Sequence, residues 1–204
     1  MFSERVQSRT QQRERTQGRI IAVADRLFRT QGFASTSIRQ IAREADVSTG
    51  TVMSVGDKSS LLAAVFEASI RQMQVEQTSH REAMHAPDAV STPDRVTAIF
   101  RPFLEFLAHD EDLSREYAAV LVRGTHGTHI FTQMADELTD TIAREFKSAG
   151  MSEAPAAAAS RAVYFAYLGV LLSWAGSGST VHSALQELSS VATLVMTTST
   201  EDCP

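Results

Sequence analysis

Apolar residues recur along this chain at intervals of three and four, the spacing of helices with one buried side, and no stretch alternates as a strand does. Ile20, Ile21, Ala24, Leu27 and Phe28 define the inner face of a first helix, and Gly32 is placed to end it. Ile38, Ile41, Ala42 and Ala45 mark a short second helix. Ser37 followed by Gln40 has the spacing of a capping box, in which a serine oxygen takes up a free amide at the helix start. Ser48 is placed to cap a third short helix holding Thr49, Thr51, Val52 and Met53. After a Gly56-Asp57 turn a long helix begins near Lys58, with Leu61, Leu62, Val65, Phe66, Ile70 and Met73 inward. Residues 85–93, with two prolines, predict a loop, and 148–155 predict a second. Further helices are predicted near 96–107, disturbed by Pro102, and at 113–122, 130–146, 156–175 and 181–197. The predicted fold class is all-α.

A length of 204 residues is ample for a buried core in one or two domains. Hydrophobic residues at 43% and charged residues at 21% exclude a disordered or fibrous chain. The single cysteine, Cys203, rules out an internal disulfide. Residues 2–19 are polar and arginine-rich, without the apolar core of a secretory signal, and the longest uncharged apolar run, 162–175, is short for a membrane span. The expectation is a cytoplasmic protein that does not enter the membrane. The net charge of −5 is uneven: residues 1–60 carry ten Lys or Arg against six Asp or Glu, and residues 61–204 carry nine against eighteen. A basic head on an acidic body suits a protein whose head meets a polyanion, as it also suits ordinary uneven surface charge.

Few constellations point to catalysis. Glu82 and His85 have the Glu-x-x-His spacing of di-iron bundles, which require a second copy that the sequence lacks. His126 and His129 stand three apart, but Gly127 lies between them and no cysteine is near. No phosphate-binding glycine loop, nucleophile elbow or zinc-finger spacing occurs. No catalytic residue, metal or cofactor is expected, and the chain is read as not an enzyme. A metal-dependent helical enzyme around Glu82 and His85, or a helical interaction protein with a vestigial helix-turn-helix, stands as the alternative.

Two short helices joined by a tight turn behind a supporting helix make a helix-turn-helix, whose second helix enters the DNA major groove. The same periodicity suits an ordinary helical hairpin. The register decides between them. Ile21, Ala24, Leu27, Phe28, Gly32, Thr36-Ser37-Ile38, Ile41-Ala42, Ala45, Val47-Ser48-Thr49-Gly50-Thr51-Val52, Lys58, Leu61 and Val65 together resemble the N-terminal module of TetR-type (tetracycline repressor) transcriptional regulators. The resemblance covers about a quarter of the chain. It implies an N-terminal three-helix DNA-binding domain with an arm (residues 1–57) and a C-terminal helical ligand-binding and dimerisation domain (58–204).

Three departures qualify the match. Asp46 stands where relatives usually have glycine, a position aspartate tolerates because it is among the few residues that adopt a left-handed backbone. Met53 replaces an aromatic, and the segment from Met53 to Lys58 is a residue shorter than usual, without tyrosine. The resemblance implies backbone contacts with DNA from Thr36, Ser37 and Lys58. It implies base-edge approach by Arg39, Thr49, Thr51 and Met53, with Ser48 beside them. Arg5, Arg9, Arg13 and Arg15 are read as a flexible arm along the groove or a solvated tail.

Large apolar residues of the body are core by default. The resemblance implies that some of Phe66, Ile70, Met73, Phe100, Phe103, Leu104, Leu107, Tyr117, Leu121, Met134 and Tyr167 line a cavity for a small apolar effector, with the helix from Lys58 as the lever. Ala162, Ala166, Gly169 and Ser173 form a small-residue stripe on a helix that is apolar all round. This stripe, with Trp174, Leu185 and Leu188, predicts a homodimer interface, against the alternative of a central core helix. The expected partners are a palindromic double-stranded DNA operator, the effector and a second copy of the chain.

Overall fold

The computed structural model describes residues 2–83, 90–123, 129–177 and 180–201, with side chains over 10–75, 90–123, 134–173 and 180–198. Among the described residues there are nine helices and no strand: α1 (Phe2–Gln31), α2 (Ile38–Glu44), α3 (Thr49–Val55), α4 (Lys58–Ala83), α5 (Thr92–His109), α6 (Glu111–Arg123), α7 (His129–Ser148), α8 (Glu153–Ser177) and α9 (Val181–Glu201). The all-α expectation is met.

The differences from the expected boundaries have local causes. α1 begins at Phe2, so the arginine-rich segment is helix rather than a flexible arm. Residues 2–17 contain no glycine or proline and are dominated by arginine, glutamine and glutamate, which favour helix. Pro93, expected in a loop, lies in the first turn of α5, where a missing amide leaves no hydrogen bond unmade. Ser91 caps that helix by accepting from the Asp94 amide at 3.3 Å. Helix α5 then runs through Pro102 without a break. Helix α8 likewise starts ahead of Pro155, at Glu153.

The chain forms two compact units. The first holds α1 to α3, α4 as far as Gln72, and nearly all of α6. Its core joins Ile20, Ala24, Leu27 and Phe28 of α1 to Ile41, Val52, Leu61, Leu62 and Phe66. Phe66 stacks on Tyr117 of α6, with centroids 4.0 Å apart and planes 8° from parallel. Gly32 ends the α1 face at φ 83°, a left-handed conformation that suits glycine.

The second unit holds the rest of α4 with α5, α7, α8 and α9. Within it α7 packs on α8, α8 on α9, and α5 on both α7 and α9. Phe100, Phe103, Ile142, Phe146, Val163, Tyr167 and Leu188 are buried there. Each such side chain contributes roughly 1.5–3 kcal/mol of transfer free energy. Helix α8 is long and apolar enough over Glu153–Ser173 to cross a membrane by length and composition, a property it shares with core helices of helical bundles; a third of that window is buried within the chain.

Candidate nucleic-acid interface

Helices α2 and α3 are each started by a serine. The Ser37 oxygen accepts from the Gln40 amide at 3.2 Å, and the Ser48 oxygen accepts from the Thr51 amide at 3.1 Å. Both serines hold the extended backbone that a cap requires. The Gln40 side chain does not close the box on Ser37 but donates to the Gln31 side chain at 2.6 Å, tying α2 to the end of α1. Between the helices Asp46 takes φ 51°, the left-handed turn expected of it. Amides of Asp46 and Val47 donate to the carbonyls of Arg43 and Ala42, closing the turn. Arg26 bridges to Glu44 at 2.5 Å, fastening α1 to α2 and holding the Glu44 carboxyl below its ordinary 4.5.

After α3 the chain needs a small residue. A Cβ on Gly56 would stand 2.5 Å from that of Ser60, so the glycine admits the first turn of α4. Asp57 caps that turn, accepting from the Ser60 amide and hydroxyl at 2.7 Å each. The Asp57-x-x-Ser60 spacing is a legible capping signal that the reading of the sequence as a mere turn passed over.

The expected contact residues divide by exposure. Ser37, Arg39, Ser48, Thr49 and Met53 are exposed, while Thr51 is half-buried. Val52 of the same helix is buried, so α3 is held by one side and presents the other. Thr36 is 2% exposed and its hydroxyl donates inward, within reach of the carbonyls of Gly32 and Leu27. The Lys58 ammonium is likewise engaged within the protein. It donates to the carbonyls of Phe33, Ala34 and Thr36 at 2.8, 3.3 and 3.1 Å and sits over the Phe33 ring. Phe33 packs on Phe28, with ring centroids 5.2 Å apart. Sequence reasoning missed Phe33 because a lone aromatic in a loop carries no periodicity.

The residues expected to hold a ligand fall in both units. Phe66, Ile70, Tyr117 and Leu121 belong to the first, and Met73, Phe100, Phe103, Leu104, Leu107, Met134 and Tyr167 to the second. Phe100 and Tyr167 stack at 4.6 Å, and burial pushes the Tyr167 hydroxyl far above its ordinary 10. Two cavities are described in the first unit. One of about 560 Å³ lies between α1 and α4, beside Gly18, Ala22 and Ala68, and one of about 420 Å³ lies between α1 and α3. Neither is lined by a residue expected to hold a ligand.

Of the expected interface, Ala162, Gly169 and Ser173 are exposed and Ala166 is half-buried, whereas Leu185 and Leu188 are buried in the protomer's own core. The Trp174 side chain lies outside the described residues, as do those of Glu82, His85, His126 and His129. Phe165, Leu172 and Leu194, absent from the expected interface, are more than half exposed. Among the described residues no group of three or more histidine, cysteine or acidic side chains is arranged to hold a metal.

A capped and exposed second helix, joined by a tight turn to a first helix anchored through Ile41 and Ala42 and followed by a long helix, defines a helix-turn-helix module of the kind that reads duplex DNA. Residues 20–55 match the family described as bacterial regulatory proteins, tetR family. The resemblance read from the residues is thereby borne out. No curated protein matches the chain. Among solved structures, the Thermus thermophilus FadR, a TetR-family transcriptional repressor in complex with lauroyl-CoA, is similar at 22% identity and a TM-score of 0.63, covering 88% of this chain and 93% of that one. A TetR transcriptional regulator from Rhodococcus sp. RHA1 is similar at 18% identity and a TM-score of 0.65, covering 92% of this chain and 97% of its own. The fold is that of TetR-family regulators.

Proposed function

We propose that this protein is a homodimeric, cytoplasmic DNA-binding transcriptional regulator, a repressor that leaves its operator when a small apolar ligand binds. The observation that carries this reading is the tetR-family match over residues 20–55, on a module whose α3 is capped and exposed. In this reading residues 1–57 meet DNA and 58–204 dimerise and hold the effector. Ser37, Arg39, Ser48, Thr49, Thr51 and Met53 are the contacts, while Thr36 and Lys58 hold the loop behind them. Two such modules on a two-fold axis suit a palindromic site with half-sites about 34 Å apart. Selection of bound sequences from randomised duplexes tests this. A palindrome is the expected product, and a purified protein without preference among duplexes at low salt overturns the reading.

The effector reading rests on chemistry. The Thermus thermophilus relative was solved with lauroyl-CoA, whose acyl chain is apolar. Here Phe100, Phe103 and Tyr167 are buried together in the second unit and would supply apolar surface to such a chain. A ligand that needs a conformation with the Phe100–Tyr167 stack opened would bind with an apparent affinity lowered by the fraction of open molecules. Helix α4 belongs to both units and is the lever, for which a coupling of roughly 1–3 kcal/mol is ordinary. Acyl-CoA that releases the selected duplex supports this reading. Unchanged DNA affinity across apolar ligands counts against it.

A further inference from the structure

Helices α1 and α3 leave a cleft of about 420 Å³ between them. Gln12, Arg13 and Thr16 line it from α1, and Thr51 and Ser54 line it from α3. The lining offers a guanidinium, amides and hydroxyls, and no carboxylate. The neighbouring acidic residues of α1, Glu14 and Asp25, line the separate groove towards α4 instead. Arg13 is thus the one charged side chain that lines the cleft beside α3. The short side chains of Thr51 and Ser54 leave the space open, and Arg13 is exposed at its edge.

We propose that this cleft seats the DNA phosphodiester backbone that flanks the bases read by α3, with Arg13 as its charged anchor. The proposal rests on the reading of the chain as a DNA-binding regulator and adds a contact outside the matched module, which begins at residue 20. A guanidinium suits a phosphate because its fork of donors matches two phosphate oxygens at once. Arg13 stands on a helix that is continuous from Phe2. It is carried on preformed helix, so binding does not require its backbone to order. Contacts of this kind add affinity and salt dependence without reading sequence.

The test compares wild type, Arg13→Ala, Arg13→Lys and Thr49→Ala by fluorescence anisotropy on wild-type-selected duplexes across a salt series. Arg13→Ala is expected to weaken binding about tenfold at low salt. It should also flatten the slope of log affinity against log salt by about 0.9 for each lost phosphate contact, twice that for two heads. Its ranking of base-substituted duplexes should match that of wild type, whereas Thr49→Ala should alter the ranking. Arg13→Lys should keep the slope. Trimming the duplex flanks should weaken wild type and leave Arg13→Ala unchanged. Wild-type affinity and slope in Arg13→Ala overturn the proposal, as does an altered base ranking with an unchanged slope. Circular dichroism melts check that this exposed substitution leaves the fold intact. A wild type that binds no duplex refutes the regulator reading itself, an outcome distinct from a silent Arg13→Ala.

Discussion

The Lys58 ammonium stands 4.4 Å from the centroid of the Phe33 ring and donates to the carbonyl of the same residue at 2.8 Å. With the carbonyls of Ala34 and Thr36 also bound, the first residue of α4 clasps the loop between α1 and α2. A phosphate would have to compete with three carbonyls and a ring for this one ammonium. Lys58→Met should therefore act through stability. We expect a loss of about 1.5–3 kcal/mol, the range for hydrogen bonds to charged groups, in chemical denaturation. DNA binding should weaken while the salt slope stays that of wild type. A flattened slope in Lys58→Met with unchanged stability would show that the amine serves a phosphate instead.

Asp46 supplies the turn between α2 and α3 at φ 51°. Asp46→Gly should be neutral or stabilising, because glycine adopts this conformation without steric cost. Asp46→Val should lose roughly 1–2 kcal/mol, the cost of a β-branched residue in a left-handed turn, and should reduce DNA affinity with it. Denaturant midpoints of the two variants check the order. Equal stability of valine and glycine here would contradict the argument.

The legible parts of this molecule were those that depend on neighbours in sequence. Ser37, Ser48, Gly32 and Asp46 act through amides or torsions within a few residues, and each does what its local pattern predicts. The arginine-rich arm was misread because charge suggested mobility, while the absence of helix breakers over 2–17 governs the backbone. Pro93 was misread because a proline ends a helix from within but opens one from its first turn. Tertiary roles were hidden. Thr36, expected at the DNA backbone, is buried, and Leu188 has the same 3.6-residue spacing whether it meets its own protomer or another.

Burial of Tyr167 against Phe100 sets a prediction for alkaline pH. The hydroxyl ionises at about 10 in an unfolded chain and far above that in the fold, with burial the main cause. A raised group contributes stability that is fully present below 10 and lost as pH rises through the folded value. The protein should lose stability above pH 10, with tyrosinate absorbance from Tyr167 appearing only as the fold melts. Tyr167→Phe should blunt that alkaline loss and keep the stack. An identical alkaline transition in Tyr167→Phe would assign the loss to another group.

One side of α8 is open and apolar. Phe165 is 63% exposed and Leu172 56%, with exposed Ala158, Ala162 and Gly169 at the three- and four-residue steps between and before them. Leu194 of α9, the helix that packs on α8, is 61% exposed. An apolar stripe of this length on a helix with a third of its apolar window buried fits the homodimer proposed above, its small residues allowing close approach of a second backbone. A Cβ added at Gly169 meets nothing within 4 Å inside the protomer. Gly169→Trp should therefore leave each protomer folded while blocking the partner, and Phe165→Glu should do the same by placing a charge in the apolar contact. Sedimentation should give a wild-type dimer at micromolar concentration and helical monomers for both variants, which should bind half-sites far more weakly than the dimer binds the palindrome. A monomeric wild type would overturn the homodimer, and variants that stay dimeric would place the interface elsewhere. A Gly169→Trp protein that fails to fold while Phe165→Glu gives a folded monomer would still support the α8 interface, because glutamate at an exposed position burdens only the contact between copies.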